Sequence, residues 1–142
     1  MIICPDCFAK FEPELDVECF QCGWLADKDG SIVNLLSTSD RKDSFFRNYI
    51  DLYETIAKSE LSALINSDFY VKSMAKRTAS LLGNIEHKSI CDVGSGKGFL
   101  LQEILNKKPS KVTAIDKATK YLEKIDSSNV NRIVANAENL PF

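Results

Sequence analysis

Residues 90–105 read ICDVGSGKGFLLQEIL, and the reading of this stretch decides the fold. An apolar run stops at an acid, Asp92. Gly94, Gly96 and Gly98 follow at every second position, and the apolar spacing then becomes helical. The pattern predicts a strand over Ser89–Val93, a loop over Gly94–Gly98 and a helix over Phe99–Asn106. Lys107-Lys108-Pro109 closes that helix, because proline has no amide donor and disfavours helical geometry just before it. The rhythm then repeats: strand Lys111–Ile115, helix Ala118–Ile125, strand Asn131–Ala135. Alternating strands and helices predict an α/β fold with a parallel sheet and right-handed crossovers.

Upstream, residues 44–59 carry a helical pattern. Phe45, Tyr49, Leu52 and Ile56 form one apolar stripe, Phe46, Ile50 and Tyr53 a second, and Asp43 or Ser44 can cap the N-terminus. A second helix is expected over 68–82, with Ser67 as N-cap, Gly83 just past its end, and Val71, Met74, Ala75, Thr78 and Leu81 or Leu82 buried. Residues 37–43 are polar and read as a linker. Before them, Asp29-Gly30 marks a tight turn between two short strands. The expected organisation is a small N-terminal unit over 1–36, the linker, and an α/β unit over 44–142.

The N-terminal unit holds four of the five cysteines. Cys4-Pro-Asp-Cys7 and Cys19-Phe-Gln-Cys22 each place two thiolates on one side of a tight loop. Two such loops facing each other make the tetrahedral sulfur cage that zinc prefers. A segment of under about 40 residues buries too little apolar surface to fold alone, and metal binding supplies the missing free energy. A closed four-thiolate cage leaves no position for water, so the zinc is expected to be structural. A redox pair or two disulfides are the alternatives, and a reducing compartment disfavours disulfides. Cys91, in the apolar run, reads as a small buried residue.

The glycine loop excludes two chemistries. A dinucleotide fingerprint needs a third small residue at position 99, which is Phe. A Walker phosphate loop needs Gly-Lys-Ser/Thr, which is absent. A G-x-G-x-G loop behind an acid suits a ligand without pyrophosphate: a sugar, a base and a cationic or zwitterionic tail. Two more positions join it. Asp116 ends the second strand, where an acid can hold ribose hydroxyls or cap the helix that follows. Asn136-Ala137 follows the third strand, where the side chain can accept from an adenine amino group or form an ordinary turn. Consecutive parallel strands bring these ends to one rim of the sheet.

CDVGSGKGF, VTAID and VANAENLPF resemble the first three motifs of class I methyltransferases that use S-adenosylmethionine. The resemblance covers residues 88–142 and implies the first part of a Rossmann-like sheet. It implies that Gly94, Ser95, Gly96 and Gly98 cradle the methionine and ribose portion, with Asp92 near the methionine amine. Asp116 would hold the ribose, and Asn136 with Ala137 the adenine. The N-terminal unit is similar to zinc ribbons that precede some of these enzymes, either rRNA guanine methyltransferases or those acting on glycan, lipid or quinone-like acceptors. The expectation is an N-terminal portion of a zinc-ribbon methyltransferase, inactive alone, with neither acceptor nor catalytic residue named. Such sheets have about seven strands and only three are present, which leaves an open apolar edge. The competing reading is a non-enzymatic zinc-ribbon adaptor. Its half-sheet would pair with a partner chain and its glycine loop would be vestigial.

Tyr49, Tyr53 and Tyr70 are candidate lid residues, though plain helix packing explains them more simply. His87 and the lysines at 107, 108, 117, 120 and 124 read as solvated. The net charge of −2 gives no footprint for nucleic acid or an anionic membrane. No apolar run is long enough to span a bilayer, and MIICPDC is not a secretion signal, so a cytoplasmic protein is expected.

Overall fold

The structure, a computed structural model, describes residues 2–11, 18–58, 67–125 and 129–142. Four cysteines cluster in a zinc-ribbon-like site, and an α/β domain with a mixed sheet follows. The short strands β1 (Ile2–Ile3) and β2 (Lys10–Phe11) pair antiparallel around the first cysteine loop. A hairpin then joins β3 (Asp27–Asp29) to β4 (Ile32–Asn34). Its two-residue turn is Gly30-Ser31, one position later than expected, and Gly30 supplies the positive φ of 58° that such turns need.

The hairpin does not stay with the ribbon. β4 pairs in parallel with β7 (Val130–Val134), β7 with β6 (Lys111–Asp116), and β6 with β5 (Ser89–Val93). The order is therefore β3-β4-β7-β6-β5. Antiparallel β3 makes mixed a sheet that the sequence predicted to be purely parallel. The expected strand ends are met within one residue.

Alternation along the strands divides the core. Val112 and Ala114 of β6 and Val130 and Val134 of β7 face the helices, with Leu101, Ile104, Leu122 and Ile125. Ile115 and Ile133 face the ribbon, against Cys4, Phe11, Cys19, Trp24 and Leu35. β6 is buried on both faces, as a central strand must be. Phe11 meets Trp24 edge-on, with centroids 5.6 Å apart. Each fully buried side chain of this size contributes about 1.5–3 kcal/mol. The ribbon thus closes one side of the sheet.

Residues 37–43, expected as a linker, hold helix α1 (Thr38–Lys42). Ser37 and Asp40 form a capping box there, in which side chain and backbone satisfy each other's amides. Helix α2 (Ser44–Lys58) is capped by Asp43, whose Oδ1 accepts from the amides of Phe45 at 2.8 Å and Phe46 at 3.1 Å. Its expected last residue, Ser59, lies outside the described residues. The packed stripe is Phe46, Ile50, Tyr53 and Ala57, while Phe45, Tyr49, Leu52 and Ile56 are exposed. Helix α3 (Ser67–Leu81) begins at Ser67 and buries Ala75 and Ala79. Val71, Met74, Thr78, Leu81 and Leu82, expected inside, are exposed. Helix α4 (Phe99–Leu105) follows the glycine loop, and α5 (Thr119–Leu122) is one short turn.

Candidate functional site

The two cysteine loops have the same backbone plan. Cys4 N donates to Ala9 O, and Phe8 N to Cys4 O; Cys19 N donates to Trp24 O, and Gly23 N to Cys19 O. The fourth residue after each leading cysteine is left-handed: Phe8 at φ 61° and Gly23 at φ 73°. Glycine meets that requirement at no steric cost and phenylalanine does not.

The four sulfurs lie within 4.8 Å of one another. Cys4 and Cys22 sulfurs are 3.7 Å apart and those of Cys7 and Cys19 3.6 Å. Sulfurs about 2.3 Å from one zinc ion stand roughly 3.8 Å apart at tetrahedral angles. Spacing and donor chemistry both fit, so Cys4, Cys7, Cys19 and Cys22 could hold zinc. Burial pushes the Cys4 thiol up to about 12, a direction that a bound cation would oppose.

The second site is an open cavity of about 1040 Å3 between the strand ends, α2 and α3. Gly94, Ser95, Gly96, Asp116, Asn136 and Ala137 line it, so six of the eight predicted ligand residues meet there. Ser95 Oγ and its amide both donate to Ile115 O, which ties the loop to β6.

Asp92 and Gly98 do not line the cavity. Gly98 is required for packing, because a Cβ there would stand 2.9 Å from Ile125 Cγ1. Asp92 is half-buried, and its Oδ2 has no hydrogen-bond partner among the described residues. Burial, aided by the charge of Asp116, raises its carboxyl above the usual range.

Two lining residues are engaged by the fold itself. Asp116 Oδ2 accepts from Gly96 N at 2.9 Å, and Oδ1 from Ala118 N at 3.0 Å. Asn136 Nδ2 donates to Asp40 Oδ1 at 2.8 Å, and its Oδ1 accepts from Glu138 N at 3.1 Å.

The remaining wall was largely illegible in sequence. Asp40 and Asp43 reach the cavity because 37–43 is structured. Tyr49 and Tyr53 line it, whereas Tyr70 does not. Lys117 is not simply solvated: its Nζ sits 3.2 Å from the Tyr49 ring centroid and 3.9 Å from that of Tyr53. This cation–π clasp joins α2 to the end of β6. His87 is exposed, as expected, with Glu86 3.8 Å away. Cys91 corrects an expectation: it is exposed on β5 rather than buried.

Ribbon-like thiol site and mixed α/β sheet together define the class of chain. No family model matches it, and no curated protein matches it. Among solved structures it is similar to a chain of the complex between the Haloferax volcanii Trm112 methyltransferase activator and a provisionally assigned methyltransferase, with 18% identity and a TM-score of 0.54. The match covers 63% of this chain and 41% of that one, so it spans well under half of the neighbour's length. That finding corrects the expectation of an S-adenosylmethionine-dependent methyltransferase, and of an enzyme. The complex includes a methyltransferase activator. Among the described residues, no helix is long and apolar enough to cross a membrane.

Proposed function

We propose that this chain is a non-enzymatic zinc-ribbon adaptor that pairs its open half-sheet with a partner chain, and that the partner is a methyltransferase. The observation that carries this reading is the free side of β5. Among the described residues, β5 has a neighbour on one side alone, β6. It presents Ser-Ile-Cys-Asp-Val, with Cys91 and Val93 exposed. An apolar edge of this length is a template for another strand. The neighbouring complex pairs an activator with a methyltransferase, which suggests the partner class. In this reading residues 1–36 are the ribbon unit, zinc is structural, and a reducing cytoplasm keeps the thiols free.

A second reading concerns the cleft, and its lining favours it. Six residues expected to meet a nucleoside surround one cavity. The half-sheet would then be Rossmann-like at this end, and the cleft would take a ligand of the S-adenosylmethionine type without itself carrying out transfer. The internal bonds of Asp116 and Asn136 support the opposite view, a loop kept for its shape.

Two experiments test these readings. The chain is isolated at natural abundance and copurifying proteins are identified. A stoichiometric methyltransferase whose labelled methyl transfer rises at least about tenfold with the chain supports the adaptor; transfer by the purified chain alone refutes it. Calorimetric titration with S-adenosylhomocysteine tests the cleft, and absence of heat with well-folded protein assigns the loop a structural role.

A further inference from the structure

The ribbon and the cavity are joined by a chain of hydrogen bonds through α1. Asp6, between the ligands of the first loop, reaches across to Thr38. Its Oδ1 accepts from Thr38 N at 2.7 Å and its Oδ2 from Thr38 Oγ1 at 2.5 Å. Two bonds to one carboxylate fix both the first turn of α1 and its rotation. On that turn, Asp40 is divided between two tasks. Its Oδ2 accepts from Ser37 Oγ at 2.7 Å, while its Oδ1 accepts from Asn136 Nδ2 at 2.8 Å on the cavity rim. The segment after Asn136 is also held from the ribbon, since Ile3 N donates to Pro141 O at 3.0 Å. Arg41 adds a further tie, its guanidinium 5.1 Å from the Trp24 ring centroid.

We infer that Asp6 is a positioning residue through which the metal-holding loop sets the cavity rim, acting on Thr38 and, through Asp40, on Asn136. The four sulfurs stand within 4.8 Å of one another, and a shared cation would tie the first cysteine loop to the second through them. Asp6 is carried between Cys4 and Cys7, so its reach to Thr38 depends on that loop. Loss of the metal therefore loosens α1 and releases Asn136, by a hydrogen-bonded route separate from the packing of Ile115 and Ala135 beside Cys4 and Cys19. The inference rests on the reading that Asn136 belongs to the functional cleft.

The test is amide hydrogen exchange over Asn136–Asn139 in the full chain, with zinc content measured on the same samples. The variants are Asp6→Ala and Thr38→Val; the second lies outside the sulfur loops and removes only the hydroxyl bond. Hydrogen bonds to a charged group are worth enough for about a tenfold or greater effect. Faster exchange at Glu138 and Asn139 in Asp6→Ala with zinc retained supports the inference, as does the same change in the unmodified chain on chelation. Unchanged exchange in zinc-loaded Asp6→Ala overturns it. Should Asp6→Ala lose zinc, Thr38→Val decides: several-fold faster exchange supports the route and unchanged exchange overturns it. Neither ligand nor partner is present in this experiment, so its failure leaves the adaptor reading standing, and an empty titration leaves this inference standing.

Discussion

The two edges of the sheet differ in chemistry and in what holds them. β3 is Asp-Lys-Asp, three charged and exposed residues at the end of the ribbon hairpin. β5 is longer, has apolar Ile90, Cys91 and Val93 among its five residues, and among the described residues pairs with β6 alone. Charges on an edge strand discourage pairing with other chains, and a short strand offers few free backbone groups. β5 has less of both: it has five residues against three, and its one charged residue, Asp92, is half-buried. One sheet therefore carries a closed edge, carried by the ribbon, and an open edge beside the glycine loop. The contrast suggests that a partner comes to one end only.

The largest expected effect comes from breaking the closed end. Cys4→Ser with Cys19→Ser, or chelation, removes a binding free energy of order 10 kcal/mol. NMR signals of residues 2–36 should collapse together, and β7 should lose protection because β4 is its neighbour. β5 should keep its pairing with β6. Protection of β4 that survives metal removal would show that the hairpin does not depend on the ribbon.

Charging the open edge comes next. Val93→Lys should weaken partner binding roughly 30-fold, the size of an interface hot spot, and leave zinc content unchanged. Surface plasmon resonance against the copurified methyltransferase reads it. The reciprocal change sharpens the contrast: Lys28→Val with Asp27→Val gives β3 an apolar edge. Sedimentation should then show more self-association than the unmodified chain does.

Phe8→Gly should strengthen the closed end by about 1 kcal/mol, because φ 61° strains any residue with a Cβ. A higher thermal midpoint of the zinc-loaded protein is the readout. Asp92→Asn acts at the open end and is smallest. Burial raises the folded-state pKa of this carboxyl, so the folded form holds its proton more firmly than the unfolded one. Stability contributed by Asp92 is thus lost as pH rises above the ordinary carboxylate range. The variant should melt slightly higher than the parent at pH 7, and the gap should close near pH 3.

The strands, the glycine loop and the cysteine set were legible because each is local. Two-residue alternation, left-handed turns and CxxC spacing need no tertiary information. What escaped was non-local. Nothing in Ile32–Asn34 announces its parallel partner Arg132–Val134, a hundred residues away, so the sequence alone sets the ribbon hairpin apart from the sheet. The segment 37–43 looked like a linker because polar residues make both linkers and capped one-turn helices; its capping box at Ser37 and Asp40 was the available signal. On α2 the exposed and packed stripes are equally apolar, and tertiary packing alone selects Phe46, Ile50 and Tyr53. Six of the eight positions expected to meet a ligand line one cavity, but motif spacing does not reveal that Gly98 serves Ile125 or that Asp116 is already bonded twice.

The most direct measurement places a genetically encoded photocrosslinker at Val93 on the open strand and identifies what it captures. The account predicts one dominant adduct containing a methyltransferase, lost when Cys91 is replaced by lysine on the same edge. A Val93 crosslinker that yields no adduct, while the purified chain alone transfers labelled methyl groups, would contradict it.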